Sequence, residues 1–259
     1  MYAWKCWRDS RARFIFFLLV VLGVCIPCTI YAARPGGPTD FVRGGPASGV
    51  AHLWSWVATV LLELIVSLLS LLAALVLGPS SIGEEYSEQT LPFLFTRPRS
   101  RRYLAWACWS FGICEILALV LAAVVGTFLA LTWVSGYVYT WRLLAIALPL
   151  FTGAAAVYSL TYLLTVIARD AARGIGYGLS ILLISLFLPL VAFGLEAFLG
   201  RFWHHNPLHF PSVLSFMVGA CDWAITPRNS FPVGQFAFYL AVALAFPAIA
   251  QLVLERREV

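Results

Sequence analysis

The chain reads as an all-α polytopic membrane protein with six transmembrane helices, and three observations predict this. Hydrophobic residues make up 61% of 259 and charged residues 11%, with a mean hydropathy of +0.88, so a soluble core is excluded. The apolar runs are long and continuous and lack the alternating polarity of membrane strands. The basic residues gather in every second gap between the runs, as orientation in a bilayer requires.

Each element follows from its apolar length. The six expected spans are Phe14 to Ala33, Leu53 to Leu77, Leu104 to Leu131, Leu143 to Ile167, Ile175 to Leu199 and Gln235 to Leu254. All are near or above the roughly 20 residues that cross hydrocarbon. They form one domain over residues 1–259, since no gap has room for a second globular unit.

Before the first span, Trp4 and Trp7 stand i,i+3 beside Lys5, Arg8 and Arg11. This pattern fits a short interfacial helix anchored by indoles, with a frayed basic tail as the alternative. The apolar stretch that follows is long, and Tyr31-Ala32-Ala33 is a poor small-x-small cleavage site, so an uncleaved first span is expected. Cys25 and Cys28 share a face of that span, where packing in lipid is favoured over redox chemistry. Of the six cysteines only Cys221 falls in an exterior segment, so no exterior intrachain disulfide is expected.

Orientation follows from charge. Lys5, Arg8, Arg11, Arg13, Arg97, Arg99, Arg101, Arg102, Arg169, Arg173, Arg256 and Arg257 place twelve cations on one side of the map. Arg34, Arg43, Arg142, Arg201 and Arg228 place five on the other. The first side is therefore expected in the cytoplasm with both termini, in a multi-pass plasma-membrane protein. The net charge of +5 is then a topology signal, with no nucleic-acid partner implied.

Between the fifth and sixth spans, Phe210 to Ile225 is an apolar run bounded by Pro207, Pro211 and Pro227, and it is short for a crossing. An exterior re-entrant or interfacial hairpin fits it better. Its aromatics, Phe202, Trp203, Phe210, Phe216, Trp223 and Phe231, suit headgroup depth. Pro149, Pro189 and Pro247 lie inside expected spans, where each predicts a kink.

Little catalytic chemistry is available. Lys5 is the only lysine, so no P-loop exists and ATP-driven work must come from another polypeptide. Glu84-Glu85 raises an intramembrane metalloprotease with a paired-Glu E-E-x-x-x-R motif, but Gln89 stands where that arginine belongs and no histidine lies within a span. His204, His205 and His209 cluster on the exterior, where Pro207 interrupts helical spacing, so no metal site is expected. Glu63, Glu115 and Glu196 fall at membrane depth, where an ionised carboxylate is costly. Glu196 lies near the exterior end of its span, whereas Glu63 and Glu115 lie further inside. These two are candidates to line a polar pathway, with pairing to Ser or Thr of neighbouring helices as the alternative.

The most distinctive stretch is a charged island, Gly83 to Arg102, between the second and third spans. Glu84, Glu85 and Glu88 fill its first turns and Arg97, Arg99, Arg101 and Arg102 its end, the charge order that complements a helix dipole. A solvated loop that only enforces topology would need the arginines but neither the acids nor Thr90-Leu91.

Here the chain resembles the membrane subunits of ABC-2 type transporters. Their cytoplasmic segment between spans two and three reads approximately E-x-x-x-x-T-L-x-x-L-x-x-x-P-x-x-R, matched by Glu85, Thr90, Leu91, Leu94, Pro98 and Arg101. The layout is similar too, with an amphipathic N-terminal element, six spans and an exterior hairpin before the last. Gln89 stands where the family often has glycine, and the lysine that often follows the arginine is missing.

The resemblance implies a permease subunit of an ABC exporter, itself non-catalytic. It would bind no cofactor, with ATP and Mg on a separate ATP-binding subunit. A second permease subunit, identical or related, would complete the membrane part within membrane lipid. The island would be a coupling helix seated in a groove of the ATPase, with Glu84, Glu85 and Glu88 docking, Thr90, Leu91 and Leu94 forming its body, and Pro98, Arg101 and Arg102 its end. A pathway with few fixed charges suits a lipid, hydrophobic drug or amphipathic peptide. The competing reading is a membrane scaffold or assembly factor that uses the island to bind a cytoplasmic partner without transport.

Overall fold

In a computed structural model the chain is described at residues 2–33, 64–79, 83, 101–135, 146–199, 213, 216, 217 and 231–256. These residues form six principal helices: α1 Tyr2–Ala33, α2 Leu64–Leu77, α3 Arg101–Ser135, α4 Ala147–Ala168, α5 Ala171–Leu199 and α6 Val233–Arg256. Each coincides with one expected span, and no strand occurs among the described residues. Four helices are long and apolar enough to cross a membrane: α1 over Ser10–Ile30, α3 over Ala105–Ala130, α4 and α6. The shorter apolar stretches described in α2 and α5 are Leu64–Leu77 and Ala171–Ser185. The first part of the expected second span, 53–63, lies outside the described residues.

The basic N-terminal stretch is not a separate interfacial element. It is continuous with the first span in α1, because no glycine or proline precedes Gly23 and the backbone ladder runs on unbroken. Trp7 packs edge-on against Phe14 at 5.7 Å and against Phe111 of α3 at 6.3 Å between ring centroids. The side chain of Trp4 lies outside the described set.

Helix α4 is the hub, buried along most of its length. Its run Gly153-Ala154-Ala155-Ala156 has no bulky side chain, so neighbouring helices approach closely. The most extensive pairing is α4 with α6, followed by α1 with α3 and α4 with α5. Large side chains fill the remaining space: Tyr158, Tyr162, Leu150 and Val166 of α4 are essentially inaccessible, as are Leu71 and Leu77 of α2.

Pairwise contacts fix the helix directions. Trp7 meets Phe111, Ser10 meets Glu115, and Gly126 faces Leu22 and Ile26, so α1 and α3 run parallel. Tyr162 reaches Ala105 while Trp109 reaches Ser159, so α3 and α4 are antiparallel. Gly174 faces Thr165 and Gly178 faces Thr161, making α4 and α5 antiparallel. Ser159 bonds Ala243, while Tyr162 and Val166 share a cluster with Ala250 and Leu254, so α4 and α6 are parallel. Gly78 faces Thr161 and Gly83 faces Thr165, which aligns the end of α2 with α4.

Two close approaches require glycine. A Cβ on Gly112 would sit 2.1 Å from the Tyr158 hydroxyl. One on Gly174 would sit 2.1 Å from Thr165 Oγ1 and 2.9 Å from the Thr165 backbone Cα, which cannot rotate away.

One expectation is corrected. Pro149 is no mid-span kink: it occupies the first turn of α4, where its missing N–H removes no helical bond. Pro247, by contrast, does lie inside α6, and Pro27 lies inside α1. In the run between the fifth and sixth spans, Phe216 packs against protein. It is fully buried with its ring 5.0 Å from that of Tyr239 in α6, and Met217 beside it packs on Gly153 of α4. Gly153 and Tyr239 each lie six residues into their helices, about 9 Å at the helical rise. This part of the hairpin dips into the bundle because it fills the space over the small residues of α4.

Candidate functional site

The body of the charged island, with Glu84, Glu85, Glu88, Thr90, Leu91, Leu94 and Pro98, lies outside the described residues. Arg101 and Arg102 open α3, but their side chains also lie outside that set. What the structure describes is how the island is mounted at its two ends.

At the entry, Gly78 N donates to Ala74 O at 3.0 Å and Gly83 N donates to Pro79 O at 2.7 Å, which turns the chain away from α2. Gly83 then lies against the start of α5: a Cβ on it would come within 2.6 Å of Ala171 Cβ. At the exit, Ala105 and Cys108 of α3 are buried in a cluster with Tyr162, Leu163 and Val166 of α4 and with Ala250 and Leu254 of α6. Tyr162 donates its hydroxyl hydrogen to Ala105 O at 2.9 Å. Trp109 Nε1 donates to Ser159 Oγ at 2.9 Å, and Ser159 in turn donates to Ala243 O at 2.9 Å. Trp106 Nε1 donates to Gln251 Oε1 at 2.6 Å, and Gln251 Nε2 to Glu255 Oε1 at 2.9 Å. Both mounts therefore rest on the C-terminal half of α4.

The turn after α4 sits beside the entry. Helix α4 ends at Arg169, whose φ of 56° is left-handed and whose N–H donates to Thr165 O at 2.9 Å. That position usually falls to glycine or asparagine. Asp170 caps α5, its Oδ1 accepting from Ala172 N at 2.7 Å and Arg173 N at 3.2 Å. The exposed Arg173–Asp170 pair at 4.0 Å adds little stability, under about 1 kcal/mol. Gly83, the first residue of the island, thus neighbours the cationic turn through its contact with Ala171.

Of the three acids expected at membrane depth, Glu115 alone has a described side chain. Glu63 and the side chain of Glu196 lie outside the described residues. Glu115 is 5% exposed and accepts a hydrogen bond at Oε1 from the Ser10 hydroxyl of α1. Its Oε2 is buried with no hydrogen-bond partner among the described residues, as is Ser67 Oγ of α2. Leaving such an atom unpaired costs on the order of 1–3 kcal/mol or more. On the same stretch of α3, Tyr103, Trp106, Ala107, Ser110, Phe111 and Cys114 line an open groove of about 480 Å³.

Sequence reasoning missed Ser10 and Gln251. Ser10 carries no signal, because its partner lies 105 residues away. Gln251 does carry one, as an uncharged polar residue within an apolar span. All four histidines lie outside the described residues, among which no three His, Cys, Asp or Glu side chains gather into a metal-sized cluster. Cys25 and Cys28 are free thiols, Cys25 buried, and Thr29 donates its hydroxyl hydrogen to Cys25 O at 2.6 Å.

No match was found among curated proteins. Residues 16–259, nearly the whole chain, match the family described as Protein of unknown function (DUF2705), and the protein belongs to that family.

Proposed function

We propose that this chain is the membrane-spanning permease subunit of an ATP-driven ABC transporter, an exporter of a lipid, hydrophobic drug or amphipathic peptide. ATP is bound outside these 259 residues, on an ATP-binding subunit, since a stretch whose only lysine is Lys5 cannot build a P-loop. The observation that carries the reading is the mounting of the charged island. Its entry is pressed on the α4–α5 turn and its exit is hydrogen-bonded to α4, so a push on the island reaches the hub helix directly.

The helix directions support six crossings with both termini cytoplasmic. Helices α1 and α3 run together, α2, α4 and α6 run together, and α5 opposes α4. This alternation agrees with twelve basic residues on one face and five on the other. The acids Glu84, Glu85 and Glu88 dock in a basic groove of the ATPase and give it register. ATP binding then closes the paired ATPase subunits, the island tilts, and the spans mounted on it open a path between two permease subunits.

The test is purification of the tagged chain from its native membrane in mild detergent, followed by mass spectrometry. A P-loop ATPase in stoichiometric amount is expected. A stoichiometric cytoplasmic partner without nucleotide-binding motifs would replace this reading with the scaffold.

A further inference from the structure

We propose that α3 slides along α4 while α2, α4 and α5 move as one block at the island end of the bundle, with the Trp109–Ser159 hydrogen bond as the catch of that slide. The proposal deepens the transport reading and rests on it for what drives the motion. The slide itself is argued from the two kinds of contact that α4 makes.

The block is joined at the level of the backbone. Thr161 and Thr165, one turn apart on α4, are pinned, because each donates its hydroxyl hydrogen within its own helix, to Val157 O at 2.6 Å and to Thr161 O at 2.8 Å. Thr161 fills the place of two missing side chains: a Cβ on Gly78 would come within 2.8 Å of its Cβ, and one on Gly178 within 3.1 Å of its Cγ2. Thr165 does the same for Gly83 and Gly174, at 3.3 Å from its Cγ2 and 2.1 Å from its Oγ1. The end of α2, the island entry and the first turns of α5 thus rest on the same two fixed teeth. Segments packed this closely cannot shift past one another without colliding, so they move together.

Helix α3 meets α4 through the tips of long side chains instead. Tyr162 and Tyr158, stacked with ring centroids 6.3 Å apart, donate to Ala105 O at 2.9 Å and to Cys108 O at 3.5 Å. Both acceptors are carbonyls of a continuous helix, where equivalent ones recur every turn, so a hydroxyl that leaves one meets the next. Gly112 carries no side chain where the Tyr158 ring tip lies. The apolar cluster around Ala105 and Cys108 is held by burial, which has no preferred direction. What marks a register is the side-chain bond from Trp109 Nε1 to Ser159 Oγ at 2.9 Å, with Ser159 itself fixed to Ala243 O of α6. Small slides of packed helices are a recognised way for a bundle to switch, and one hydrogen bond is a modest catch.

The island spans this boundary. Its first residue, Gly83, rests on the block, and its last residues open α3. Helix α1 travels with α3 through their parallel pairing and the bond from Ser10 to Glu115. A force on the island therefore moves α1 and α3 against α2, α4 and α5.

The experiment is double electron-electron resonance on the full chain in lipid nanodiscs without ATPase, diluted with unlabelled chain so that distances within one molecule are read. Spin labels are carried by a keto-bearing phenylalanine analogue at Leu121 of α3, Ile167 of α4 and Phe187 of α5, all exposed, which leaves the native cysteines in place. At the helical rise the α3–α4 and α4–α5 pairs are separated by about 20–30 Å along the axis. The α3–α4 distribution is expected to be at least twice as broad as the α4–α5 one, or split by about one turn, roughly 5 Å. Distributions of equal width would overturn the slide. Trp109→Phe removes the catch and is expected to broaden or shift the α3–α4 distribution while the α4–α5 one stays as it was; an unchanged α3–α4 distribution would overturn the catch. Should the label at Leu121 prevent folding, exposed Leu117 one turn earlier takes its place. A broad α3–α4 distribution in a chain that purifies without an ATPase would retain the slide and discard transport, and a narrow one in a chain that purifies with an ATPase would discard the slide alone.

Discussion

Helix α4 and the seam between α1 and α3 are both buried, yet they treat polar groups in opposite ways. On α4 the buried hydroxyls are met. Thr152, Thr161 and Thr165 donate back to carbonyls one turn earlier at 2.6–2.8 Å, Ser159 and Tyr162 reach α6 and α3, and Tyr158 makes a long bond to Cys108 O. In the seam a carboxylate is buried with one oxygen unmet. A scaffold that must hold shape satisfies its polar atoms, since each unmet one lowers stability. The difference marks α4 as support and leaves the seam as the candidate for function, where such a cost is tolerated.

The contrast is broken most severely by adding volume at the hub. Gly174→Ala drives a methyl group into Thr165, backbone included, and is expected to cost about 3 kcal/mol, read as a lower midpoint of thermal unfolding in detergent. Loss of the cap in Asp170→Ala is expected to cost about 1 kcal/mol by the same measurement. Glu115→Leu sharpens the comparison from the other side. It deletes a buried acid but also its unmet oxygen, so stability is expected to stay within about 1 kcal/mol of the parent. A loss as large as that of Gly174→Ala would make the seam structural after all. The smallest effect is Arg169→Gly, which removes a side chain from a left-handed position and is expected to raise stability by a few tenths of a kcal/mol.

Helix existence and order were legible because apolar length is a local property and lipid leaves the backbone few alternatives. Local reading erred where tertiary packing decides. The burial of Phe216 over the small residues of α4 leaves no mark in its own stretch of sequence, and the basic N-terminus reads as separate although nothing breaks α1 before Gly23. The candidate site was legible only in part. Glu115 stood out as an acid in an apolar run, but Ser10 and the groove arise from the parallel pairing of α1 and α3, which leaves no trace in spacing. The turn at Arg169 was read only as a topology charge, since left-handed backbone at a non-glycine residue is invisible in sequence.

The central claim is that the island transmits work between an ATPase and this bundle. Its most direct test is the ATPase activity of the purified complex with Glu85→Arg and Arg101→Glu, singly and together, set against the amount of complex recovered. The account predicts that each reversal lowers recovery or uncouples ATP hydrolysis from substrate stimulation by about tenfold, as expected when a complementary charge contact is inverted. Full recovery with unchanged substrate-stimulated hydrolysis in all three variants would contradict it.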